Sequence, residues 1–173
     1  TRSVSAFLLN RSSDLEMDSY KFCAGSYNNM TKYTYDLDHT QGNVLDSLSV
    51  LQAEDDAARQ ILGDGWSIPT RTQFSDMISR CEWRECKLEG IWGYLFTSKD
   101  NGNTIFIPLA GCKDYEELLH ADRGFYWTKN LNTKSSNEAY VLWLQKSSNP
   151  VATKLEERNI GLPIRAVYKA PKK

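Results

Sequence analysis

Apolar positions recur with two different periods along this chain. In Leu51 to Leu62 the apolar face is Ala57, Ala58, Ile61 and Leu62, a helical spacing, with Glu54, Asp55 and Asp56 in the first turn, where the helix dipole favours negative charge. Gly63 and Gly65 can stop that helix, since glycine takes the left-handed conformation without a Cβ clash. Trp66 and Ile68 form an apolar pair before Pro69, which keeps its predecessor extended. Thr70 with Gln73 has the spacing of a capping box. Phe74, Met77, Ile78 and Cys81 follow at i, i+3, i+4 and i+7, which predicts one buried stripe of a second helix.

Beyond the second helix the period becomes 2. Trp92 to Ser98 and Thr104 to Leu109 flank Lys99-Asp100-Asn101-Gly102-Asn103, and the Asn-Gly dipeptide marks a hairpin turn. Tyr94 and Phe96 oppose Ile105 and Ile107, and Pro108 confines its strand to an edge. Arg123 to Thr128, Ala139 to Leu144 and Leu162 to Tyr168 complete the predicted strands, with Val4 to Leu9 as a first strand pairing near the end of the chain. Ser12 to Met30 reads as loop. Two polar connections, Lys129 to Glu138 and Gln145 to Ile160, lie between the late strands. Helices early and hairpin-connected strands late predict an α+β fold with antiparallel sheets.

The length of 173 residues suits one domain spanning 1–173, with a core large enough to bury most of its apolar surface. The net charge of −1 supplies no field for nucleic acid or for an anionic membrane, and no segment is long and apolar enough for a bilayer. The chain opens on Thr1, as a trimmed fragment would. Cys23, Cys81, Cys86 and Cys112 contain no C-x-x-C pair, and two histidines give little for zinc. Asp36, Asp38, His39 and Gly42 fail the calcium-loop spacing, because Gln41 stands where that loop needs glycine. Neither a phosphate loop nor a G-x-S-x-G elbow is present. No cofactor and no metal are expected.

Gly65-Trp66-Ser67-Ile68-Pro69-Thr70 with Phe74 resembles the G-x-R-[LM]-P-T-x-x-[EQ]-[WF] segment of bacterial C-type-lectin-like domains, a group that includes formylglycine-generating-enzyme-like proteins and, closer still, the Fibrobacter succinogenes major paralogous domain family. Four further segments resemble that family in the same order: Tyr20 to Tyr27, Glu54 to Arg59, Gly90 to Gly111, and Tyr126-Trp127-Thr128 through Ala139-Tyr140 to Gly161–Val167. The resemblance covers about residues 20–168. Ser67 replaces the family's arginine.

The resemblance implies a C-type-lectin-like fold, two helices in the N-terminal half and antiparallel sheets in the C-terminal half. Family members often carry cysteine at the positions of Cys23 and Cys81. Cys86 and Cys112 look like additions, which makes them the candidate disulfide pair. The related oxidase binds copper through two cysteines near its C-terminus, whereas the last cysteine here is Cys112, so a non-catalytic domain is expected. The alternative is a formylglycine-generating-enzyme-like oxidase with a displaced active site. Calcium-dependent sugar binding is not expected either, because Asn149-Pro150 lacks the flanking acid and Trp127-Thr128-Lys129 replaces the aspartate strand.

The expected function is ligand recognition or adhesion by a bacterial surface or secreted protein, calcium-independent, toward a protein or glycan partner. Related lectin-like proteins include the variable proteins of diversity-generating retroelements, whose substitutions concentrate in the C-terminal region. The expected ligand face is Lys129, Asn130, Asn132, Ser136, Asn137, Lys154 and Arg158, with Trp127 as a partly exposed anchor. Loops of this kind carry polar, adaptable groups beside aromatics and should accept rewriting without unfolding the domain.

Overall fold

The structure is a computed structural model that describes residues 20–26, 28–40, 45–114, 117–120 and 122–170. The predicted strand Val4 to Leu9 lies outside these residues, as does Gly42 of the acidic turn. The described chain is α+β, with helices α1 (Ala57–Leu62) and α2 (Arg71–Arg80) and four antiparallel sheets. Among the described residues no helix is long and apolar enough to cross a membrane.

Asp56 caps α1, and this shortens the predicted helix to Ala57–Leu62. The residues before it are held by other partners: Leu51 N–H donates to the Lys129 carbonyl (2.8 Å) and Gln52 N–H to the Tyr33 hydroxyl (2.9 Å). Gly63, at φ +88°, closes α1 by donating its N–H to the Arg59 carbonyl at 2.9 Å. Strand β1 (Trp66–Ser67) pairs with β10 (Val167–Tyr168). The pairing thus joins the middle of the chain to its end, and the predicted strand Leu162 to Tyr168 is confined to its last two residues. Trp66 is half-buried against the Tyr168 ring, 5.2 Å away.

The capping box of α2 is present. The Thr70 hydroxyl accepts from Gln73 N–H at 3.1 Å, and Gln73 Oε1 accepts from Thr70 N–H at 2.8 Å. Phe74 is buried, and Met77, Ile78 and Cys81 pack partly buried on the same core. The chain passes from α2 into β2 (Cys81–Leu88) with no intervening loop. A two-residue turn at Glu89 and Gly90, both with positive φ, leads into β3 (Ile91–Ser98), as a type I′ hairpin requires. Strand β3 also pairs with β4 (Thr104–Pro108) across the predicted Asn-Gly turn. Tyr94 sits opposite Ile107 and Phe96 opposite Ile105, and Pro108 lies on an edge strand, as expected.

A small hairpin, β5 (Cys112–Asp114) with β6 (Glu117–Leu119), precedes the central sheet. That sheet is β7 (Arg123–Leu131), β8 (Glu138–Gln145) and β9 (Val151–Glu157) in the order β7-β8-β9. Its faces bury different cores. Phe125, Trp127, Ala139 and Val141 join Ile68, Leu162 and Ile164 on one side. Tyr126, Leu142 and Leu144 join Phe74, Phe96 and Ile107 on the other. The near-continuous burial of β7 and β8 follows from this double coverage.

Two predicted loops are strand in part. Lys129 and Asn130 belong to β7, where two extra residues carry the strand off β8 between Trp127 and Leu131. The freed backbone groups pair elsewhere: Lys129 N–H donates to the Pro69 carbonyl at 2.9 Å, and Leu131 N–H to the Ser49 carbonyl at 3.0 Å. Strand β9 occupies the middle of the predicted loop Gln145 to Ile160.

The expected pair, Cys86 and Cys112, is not joined by a disulfide in this structure. Cys86 lies on the outer strand β2 opposite Gly93, which in turn opposes Pro108. Two strand spacings of about 4.8 Å therefore separate Cys86 from β4. Cys112 is buried against the other core, with Phe125 and Leu162.

Candidate functional site

Most of the predicted ligand face is interior. Arg158 is 6% exposed, with its guanidinium 5.3 Å from the Tyr20 ring, 5.9 Å from Phe22 and 5.6 Å from Tyr33. It donates to the carbonyls of Tyr33, Lys32 and Ser136. Cation–π contact and carbonyl acceptors offset a charge that burial otherwise penalises, although Nε has no hydrogen-bond partner among the described residues.

Ser136 is 1% exposed. Its hydroxyl donates to Asp36 Oδ2 at 2.7 Å and accepts from Tyr35 N–H at 2.8 Å. His39 Nδ1 lies 2.6 Å from Asp36 Oδ1. The grouping of Ser136, Asp36 and His39 superficially suits a hydrolase, but Asp36 stands between serine and histidine, so the imidazole is not placed against the serine hydroxyl. Burial raises the Asp36 carboxyl, yet hydrogen bonds from Ser136 and His39 outweigh it and hold the group below the ordinary carboxylate range. Asn132 and Asn137 are buried as well. Asn132 Nδ2 donates to Glu138 Oε2 at 2.8 Å, and the Asn137 carbonyl accepts from Arg158 N–H at 2.9 Å.

Trp127 is 6% exposed in the core and is no surface anchor. Lys129 and Asn130 are half-buried, and Asn130 Oδ1 accepts from Arg71 N–H at 2.8 Å to hold β7 against the start of α2. The polar composition of 132–137 suits a solvated surface loop. The side chains of Asn132, Ser135, Ser136 and Asn137 instead bond one another, Glu138 and the 30s segment.

The acidic triplet is also structural. Asp55 accepts from Lys21 Nζ (3.0 Å), from Lys32 Nζ and from the Tyr33 hydroxyl (2.6 Å). Burial opposes its charge, but these bonds keep its carboxyl low. Burial, with Asp55 adding to it, pushes the Tyr33 hydroxyl up to about 12.

Lys154 is the one predicted site residue that is exposed. It lines a cavity of about 420 Å³ together with Cys112, His120, Arg123, Phe125, Trp143, Glu156 and Leu162. Phe125 and Trp143 are register partners on β7 and β8 and form an aromatic floor. Lys154 Nζ lies 5.3 Å from the Trp143 ring centre, and the His120 ring 6.3 Å from that of Phe125. Arg123 starts β7, and its Nε is buried without a hydrogen-bond partner among the described residues. Burial raises the Glu156 carboxyl, and Glu157 adds to this, while His120, Lys154 and Arg123 pull the other way.

A bulge in β9 makes this convergence. Trp143 pairs with Val151 but Val141 with Lys154, so Ala152 and Thr153 together oppose Leu142. The extra residue turns Lys154 and Glu156 onto the face of Trp143. Strict alternation counted from Ala152, which is buried in the opposite core, would turn them away. Reading 151–157 as a strand pairs Lys154 with Glu156 on one face, but the bulge carries no mark in sequence. His120, Arg123, Phe125 and Glu156 therefore fall outside the predicted ligand face, and Trp143 stands out in sequence only for its aromatic character.

The described residues contain no group of three His, Cys, Asp or Glu side chains placed to hold a metal ion. Comparison with family models, with curated proteins and with solved structures finds no match to this chain.

Proposed function

We propose that this chain is a non-catalytic, C-type-lectin-like recognition domain of a bacterial surface or secreted protein. Its ligand, a protein side chain or a glycan residue, occupies the cavity on the β7-β8-β9 sheet. Support for the lectin-like reading comes from the Gly65 to Phe74 segment, where a β-bridge, a proline and a capped helix follow one another.

The observation that carries the binding reading is the cavity itself: about 420 Å³, floored by Phe125 and Trp143 and rimmed by Arg123, Lys154, Glu156 and His120. Ligand sites combine an apolar wall with a few convergent polar groups. They also favour positions that a rigid scaffold fixes, and here the floor residues belong to a sheet buried on both faces.

The test is an array of glycans and peptides, followed by amide chemical-shift mapping of whatever binds. Shifts should centre on residues 120–125, 143 and 154–156, and Trp143→Ala should remove them. A ligand that shifts only residues elsewhere, or that binds Trp143→Ala unchanged, refutes the assignment.

A further inference from the structure

We infer that the cavity selects a hydroxylated carboxylate of monosaccharide size, as a free sugar acid or as a terminal uronic acid residue. The inference rests on the cavity being the recognition site. The volume of about 420 Å³ sits toward the small end of ligand pockets, which run from about 300 to 1,000 Å³. One small ring with its substituents fits, and an extended chain does not.

The charges choose among small ligands. Arg123 and Lys154 bring two fixed positive charges to the lining, against one carboxylate on Glu156. Arg123, Lys154 and Glu156 together give the lining a net single positive charge, which a monoanion matches. Arg123 supplies a planar fork of donors, and its buried Nε lacks an acceptor among the described residues. A carboxylate is the group that such a fork engages with two parallel bonds. Lys154, exposed on β9 at the opposite edge of the sheet, can approach the same anion from the side.

The remaining groups call for hydroxyls and an apolar ring face. Glu156, half-buried beside these cations, is an acceptor for hydroxyl donors. Trp143, half-buried beside the buried Phe125 ring, presents aromatic surface that suits the C–H face of a sugar ring. A purely apolar ligand would leave the buried Arg123 Nε and the half-buried Glu156 carboxylate without partners, which is costly. A neutral sugar would leave the extra positive charge unmet. A phosphate dianion would overcompensate the single net charge and meet the Glu156 carboxylate.

Titration calorimetry on the full chain with glucuronate, glucuronamide and a glycan ending in glucuronic acid tests this. Glucuronate should bind at least tenfold more tightly than glucuronamide, which has the same shape and no charge. Glucuronate binding as tightly as the glycan would identify the free acid as sufficient, and preference for the glycan would identify the terminal residue; either supports the carboxylate reading. Arg123→Met should weaken glucuronate at least tenfold. Lys154→Met, at an exposed position, gives a second readout should Arg123→Met fail to fold, and should weaken it severalfold. Equal affinity for glucuronate and glucuronamide overturns the carboxylate inference but leaves the cavity as the site. Glucuronate bound equally by wild type and Trp143→Ala overturns both.

Discussion

Asp56 tests whether the acidic triplet is a structural staple. The carboxylate is 1% exposed. Its Oδ1 accepts from Ala58 N–H (3.0 Å), Arg59 N–H (3.2 Å) and Ile68 N–H (3.1 Å), and its Oδ2 also lies 3.0 Å from Ile68 N. One side chain thus caps α1 and ties it to the residue after β1, just ahead of the Thr70 cap. Asp56→Ala removes an N-cap, worth about 1 kcal/mol. It also strands the buried Ile68 N–H, at about 1–3 kcal/mol. The expected loss is about 3 kcal/mol.

The informative control is Asp56→Asn. It keeps an oxygen where Oδ1 stands and so keeps the helix cap, but sets an NH2 donor against Ile68 N–H. It should cost about 1–2 kcal/mol through one charge-assisted bond lost. Urea unfolding followed by tryptophan fluorescence should show the midpoint falling at constant slope, as expected when stability alone changes. For a domain of this size, a loss of about 3 kcal/mol lowers the Tm by roughly 6–12 °C. A loss below about 1 kcal/mol for Asp56→Ala would refute the staple. Equal losses for the two substitutions would show that charge, not acceptor geometry, is what the site needs.

Thr70→Ala should cost about 1 kcal/mol in the same urea titration, because Gln73 N–H then loses its acceptor. Replacing Lys129 to Asn137 by Gly/Ser should unfold the domain, the reverse of what the composition suggests, since Asn132, Ser136 and Asn137 are buried and β7 runs to Leu131; a Tm within a few degrees of wild type would restore the surface-loop reading. Asp36 has a pKa lowered below its unfolded value, so its contribution is present above about pH 4 and is lost as pH falls through the folded-state value. Asp36→Asn should therefore lower stability at neutral pH, with the difference from wild type shrinking below about pH 4, and a constant difference from pH 7 to pH 2 would contradict this.

Local signals are legible where one or two residues decide the backbone. Thr70 and Gln73 specify the start of α2, Asn101-Gly102 the hairpin, and Gly63 the end of α1. These choices depend on φ preference and side-chain reach within four residues. The extent of α1 is less legible, because a fully buried cap at Asp56 overrides the favourable composition upstream. Cys81 completes a helical stripe, yet β2 begins there, since pairing with Ser98 competes with another helical turn. Burial of Ser136 and Arg158 follows from Asp36 and from the rings of Tyr20, Phe22 and Tyr33, 100 or more positions away in the chain. No local pattern encodes such distant partners.

The β9 bulge joins the fold to the proposed site, and it yields a prediction that runs against ordinary strand logic. Removing one residue from a strand normally turns every later side chain to the other face. Here Ala152 and Thr153 share one partner, Leu142, so deletion of Thr153 regularises the ladder. Val141 still meets Lys154 and Ala139 still meets Glu156, because those pairings lie beyond the extra residue. The two ends of the strand are held independently. Ala152 is buried beside Leu142, and Arg158 is locked in its aromatic cage with its N–H on the Asn137 carbonyl. The deletion should therefore cost less than about 2 kcal/mol, within the range of most single changes. It should also leave Lys154 and Glu156 beside Trp143. Chemical unfolding measures the first, and chemical-shift perturbation of the Trp143 indole on Lys154→Met substitution in the deletion background measures the second. Loss of that coupling in a folded variant would mean that the strand slips as a unit, and that the bulge is not what aims the cavity's charges.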